Sequence, residues 1–93
     1  MMRRNPDFLL RDVAGIQVIV PVGEAIVAFP GMITVNQTGA YIWELLENEQ
    51  TEDALVDALL EQYQVTREQA ATDVKAFLEK LQPTGAVLGW IRQ

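Results

Sequence analysis

Apolar and polar positions alternate every second residue in the first third of the chain and recur at three and four residue spacing afterwards. In residues 16–20, Ile16, Val18 and Val20 alternate with Gln17 and Ile19. That pattern predicts a strand with one covered face and one partly covered face. Phe8 to Val13 predicts a strand before it, with Ala14-Gly15 as the tight turn between them. Pro21 and Gly23 end the second strand. The apolar run 25–29, which Pro30-Gly31 breaks, fits a paired strand and an extended loop equally. Met32, Ile33, Thr34 and Val35 form a last strand segment that runs straight into Asn36. The Asn side-chain oxygen can accept a backbone N–H that a first helical turn leaves unpaired, so Asn36 is the N-cap of a helix.

Three helices follow in the pattern. The first covers about 36–47, with Ile42, Leu45 and Leu46 facing the core and Tyr41 and Trp43 beside them. Gly39 lowers its intrinsic propensity by roughly 1 kcal/mol, and a glycine inside a helix permits close packing. Thr51 caps the second helix, with Glu52 and Asp53 in the first turn where the helix dipole favours negative charge. Leu55, Leu59 and Tyr63 form its apolar line with Val56 and Leu60 alongside, while Asp57 and Glu61 point outward. Thr66-Arg67-Glu68-Gln69 spells a capping box. It opens the best-patterned helix, whose stripe is Ala70, Val74, Phe77, Leu78 and Leu81. Pro83 and Gly85 stop that helix, and the apolar tail 86–91 adds a short strand or docks on the core.

These elements predict one α+β domain over 1–93, winged helix-turn-helix-like. Residues 1–7 are a loose lead-in, 8–35 a small antiparallel three-stranded β-sheet, 36–82 a three-helix bundle and 83–93 a C-terminal tail. A chain of 93 residues supports one modest core.

Composition narrows the chemistry. There is no His, Cys or Ser, which removes imidazole acid–base catalysis, thiol and serine nucleophiles, and the usual zinc ligand sets. Absence of Cys is compatible with a reducing cytosol, and the expected location is cytoplasmic. Formal charge is −6, and its distribution is uneven. From Asp12 through Glu61 there are nine carboxylates and no basic side chain. Such a surface repels phosphate backbones and anionic headgroups. The N-terminal segment carries Arg3 and Arg4, but Arg11 and Asp12 interrupt its apolar run, so it is not an export signal. No stretch approaches the roughly 20 apolar residues that cross a bilayer.

Winged helices commonly bind DNA through the third helix. Here its Arg67, Lys75 and Lys80 are offset by Glu68, Asp73 and Glu79, and the second helix has no base. A DNA-binding or regulatory winged helix is therefore the disfavoured alternative. A carboxylate–metal enzyme using Glu44, Glu47 and Asp53 is a further alternative. Those acids read as ordinary surface residues, with no chelating loop pattern. No cofactor, metal site or catalytic residue is expected.

The ordered combination N-x-T-G-A-x-I-W from Asn36, Tyr63-x-Val65, and D-V-x-x-F-L-x-x-L from Asp73 resembles the PqqD-like family, the RiPP recognition elements. The resemblance spans about 8–88. Val35 stands where the family usually has Leu, and the run 25–29 is extra. The resemblance implies a non-catalytic binder of the leader segment of a ribosomally made precursor peptide. The leader adds as a strand to the sheet edge against the third helix and is presented to a radical S-adenosylmethionine enzyme or a leader peptidase. Strand addition draws affinity from main-chain hydrogen bonds and selectivity from side-chain pockets. Mapped here, the edge is Met32, Ile33, Thr34 and Val35, and the facing helix supplies Asp73, Val74, Phe77 and Lys80. The expected partners are that leader and enzyme, with no nucleic acid and no membrane, and the chain is a monomer or weak homodimer.

Overall fold

A computed structural model describes residues 1–91. The sheet is built around one hairpin. Strand β2 (Phe8–Val13) pairs antiparallel with β3 (Ile16–Pro21) through the turn Ala14-Gly15. Both turn residues have positive φ, 53° and 84°, the backbone of the mirror-image turns that match strand twist. Strand β4 (Ile33–Val35) pairs antiparallel on the other side of β3, giving the order β2-β3-β4 with β2 and β4 as edges. The expected three-stranded antiparallel sheet is present.

The run 25–29 is neither a strand nor an extended loop. Ala25–Ala28 forms a single helical turn, α1, closed by the Phe29 N–H donating to the Ala25 carbonyl at 2.9 Å. Both sides of β3 are already occupied, so this segment has no central strand to join. It folds back instead, and Phe29 packs on Phe8 with ring centroids 6.5 Å apart.

Three helices follow the sheet: α2 (Gln37–Leu45), α3 (Glu52–Gln62) and α4 (Arg67–Leu81). Each starts at the cap its sequence announces. Asn36, Thr51 and Thr66 accept the N–H of Gly39, Ala54 and Gln69 at 2.8, 3.1 and 3.1 Å. Only half of the capping box at Thr66 forms, because the Gln69 side chain turns forward and donates to Asp73 at 2.8 Å. The α4 stripe Ala70, Val74, Phe77, Leu78 and Leu81 is buried as its spacing requires. It packs with Ile42, Trp43, Leu46, Leu55 and Leu59 and with Ile19, Ile33 and Val35 from the sheet in one core. Leu45, expected to face this core, is only partly buried, while Trp43, placed on its flank, is 2% exposed.

The lead-in 1–7 differs from expectation. Strand β1 (Arg3–Arg4) pairs with β5 (Val87–Leu88), and Met2, 4% exposed, bridges to Gln50. The tail thus both adds a strand and docks, with Ala86, Val87 and Trp90 buried. The indole N–H of Trp90 donates to the Glu52 carboxylate. A lead-in that looks loose and polar and an apolar tail cover one another's apolar side chains. No helix among the described residues is long and apolar enough to cross a membrane.

Candidate functional site

Which backbone groups a sheet edge offers follows from its hairpin. Val13 and Ile16 flank the two-residue turn and exchange ladder bonds, and bonded pairs then alternate with non-bonded ones. Gln17 and Ile19 therefore turn their N–H and C=O away from β2 and towards Val35 and Ile33 of β4. Thr34, between those two, turns its N–H and C=O outward to the open side. Pro21 fits the same logic. Its missing N–H would point past the start of β4, where no partner residue sits.

Beside this edge, a groove of about 230 Å³ runs between α4 and the first turns of α2, with the end of β4 at its rim. Val35, Asn36, Thr38, Gly39 and Ile42 form one wall; Asp73, Ala76, Phe77 and Lys80 form the other. The α4 wall follows from helical geometry, since positions 73, 76, 77 and 80 share one face at three and four residue spacing. Gly39 is what lets the walls approach. A Cβ there would stand 3.1 Å from two carbons of the Phe77 ring. Phe77 is 7% exposed, so its ring is mostly core with a small area on the groove floor. At the rim the Lys80 ammonium donates to the outward Thr34 carbonyl.

The sequence-predicted residues divide into two groups. Val35, Asp73, Phe77 and Lys80 line the groove, and Thr34 supplies its backbone to the edge. Val74 does not reach it, being 1% exposed within the core. Ile33 is likewise a core side chain, 5% exposed. Met32 lies just before β4 and outside the groove lining. The lining also includes Thr38, Gly39, Ile42 and Ala76, none of which sequence reasoning assigned to the site. Ala76 was accessible to it, lying three residues after Asp73 and four before Lys80. Asn36 acts as a cap and lines the groove as well.

No polar or charged residue is buried among the described residues. No group of three or more acidic side chains that could hold a metal ion occurs among them, Glu44, Glu47 and Asp53 included. The outward face of α4 does not concentrate positive charge, since Arg67 pairs with Asp57 of α3. A phosphate-binding helix would present its cations unopposed.

The family model described as coenzyme PQQ synthesis protein D (PqqD) matches residues 18–87, from the middle of β3 to the start of β5. The chain belongs to the PqqD family. No curated protein sequence matches it significantly. Two solved structures share the fold of this PqqD-family domain at 20% sequence identity. One is TbiB1 in complex with the TbiA(beta) leader peptide, with a TM-score of 0.75 over 97% of this chain and 99% of that one. The other is a lasso peptide synthetase B1 complexed with its leader peptide, with a TM-score of 0.71 over 95% of this chain and 98% of that one.

Proposed function

We propose that this PqqD-family domain is a non-catalytic recognition element for the leader segment of a ribosomally made precursor peptide. The leader adds as a strand along β4 and lies in the groove against α4. The domain then presents it, in the cytoplasm, to a modifying enzyme of the radical S-adenosylmethionine type or to a leader peptidase. The observation that carries this reading is the outward Thr34 backbone beside a groove walled by a helix. An unpaired strand edge is a template for a guest backbone, and the helix wall adds contacts to alternate guest side chains. The fold shared with two proteins solved with leader peptides supports it. The inventory without His, Cys and Ser suits a binding role and offers few nucleophiles.

The test is an NMR titration with the leader of the precursor peptide encoded beside this protein. Binding with Kd of roughly 1 μM or tighter is expected, about −8 kcal/mol. The amides of Thr34, Val35, Asn36, Asp73 and Phe77 should shift, with the bound peptide extended. A footprint on the opposite edge, β2, or on the β1–β5 ribbon would overturn the assignment.

A further inference from the structure

We infer that Lys80 is a latch on the edge strand and, once displaced, the residue that selects an acidic side chain in the incoming peptide. The inference rests on strand addition at β4. That strand has three residues, and by hairpin parity only Thr34 turns both backbone groups outward. Its carbonyl is already the acceptor of the Lys80 ammonium, a contact spanning 46 residues of sequence. A guest N–H that bonds this carbonyl must first displace that donor.

The displaced ammonium has three donor hydrogens and no acceptor, so it needs oxygen partners elsewhere. Its own helix carries Glu68, Asp73 and Glu79, but none of them lies three or four positions away, where side chains on a helix meet. The residues three and four positions away are Phe77, Ala76, Pro83 and Thr84. Asp73 is seven residues back, about 10 Å along the helix axis, and accepts from Gln69. Lys80 is exposed, so water can take up the displaced ammonium, and the guest is the near source of a charged acceptor. Its backbone carbonyls facing β4 are used by the ladder, whereas a carboxylate on the side facing α4 forms an ion pair and adds charge attraction to the hydrogen bond that the ammonium makes to any oxygen. The free edge is thereby covered by a group that a strand carrying a carboxylate displaces at less cost than one without it.

Dodecapeptides selected from a random phage-displayed library on the wild-type protein provide the probe. The best binder is made in two forms, with Glu or Gln at the position nearest α4, and both are titrated into wild type and Lys80→Met. Wild type should favour the Glu form by about threefold, the range of an exposed ion pair. That preference should fade as salt is raised. Lys80→Met should bind both forms equally and should bind the Gln form more tightly than wild type does, because the carbonyl is uncovered. A residue that merely added contacts would lose affinity for both forms. Without peptide, the Thr34 carbonyl ¹³C resonance should move in Lys80→Met while its melting temperature stays close to that of wild type.

Peptides that shift β4 and α4 resonances but show no Glu preference, or a preference that survives Lys80→Met, overturn this inference and leave strand addition standing. An unmoved Thr34 resonance likewise overturns the latch. Selected peptides that bind away from β4 and α4 overturn both.

Discussion

Gly39 concentrates the demands of this fold at one position. It sits in the first turn of α2, donates to its own cap Asn36, and leaves the Phe77 ring the space a side chain would fill. Replacing it with alanine brings a gain in helix propensity of roughly 1 kcal/mol against a ring that must give by a few tenths of an ångström. Gly39→Val goes further, since a branched side chain meets the same ring without room to turn. The expected loss is about 1–3 kcal/mol, the range of an overpacked core, with weaker peptide binding because the displaced ring sits in the groove floor. Urea melts and peptide titrations on the same sample measure both. The glycine was visible in the sequence as a packing residue. Its partner was not, because Phe77 lies 38 residues further on, in another helix. Spacing within α4 marked Phe77 as apolar-facing without saying what it would face.

At the scale of the element, β4 is a strand used on one side only. Its inward groups hold it to β3, and its outward groups belong to Thr34. Proline substitution separates the two sides. Thr34→Pro removes an N–H that no ladder bond uses, so the domain should melt close to the wild-type temperature. The same variant should weaken peptide binding by up to about tenfold, as one hydrogen bond of roughly 0.5–1.5 kcal/mol is lost. Val35→Pro removes an N–H that faces Gln17 and should destabilise the fold itself by about 1 kcal/mol or more. Thermal melts followed by circular dichroism distinguish the two. The boundaries of this element were legible from Pro30-Gly31 and the Asn36 cap. The identity of the outward residue was not, since it depends on the parity of a hairpin turn twenty residues earlier.

Across the whole molecule, the N-terminal residues and the C-terminal tail close on one another over the helices. Trp90 is 7% exposed and its indole N–H bonds Glu52 at the start of α3. Trp90→Ala should cost about 3–5 kcal/mol, much of the 5–15 kcal/mol that holds a typical domain folded. Trp90→Phe keeps the apolar ring and loses the donor, for which about 1 kcal/mol is expected. Chemical denaturation of the two variants separates burial from the hydrogen bond. The acidic segment 12–61 is carried mostly by the hairpin, α2 and α3, so the groove wall on α4 holds the charge of both signs. The resulting field disfavours nucleic acid.

Local pattern alone determined the three helices, their caps, the hairpin and the family, because periodicity and capping are properties of residues close in sequence. It also placed Asp73, Phe77 and Lys80 on one face. Tertiary structure decided that 25–29 coils into a helical turn and that the first residues pair with the last. It also set Val74 in the core and Lys80 on the Thr34 carbonyl. Each of those outcomes depends on which distant backbone or side chain arrives alongside, and no window of neighbouring residues contains that information.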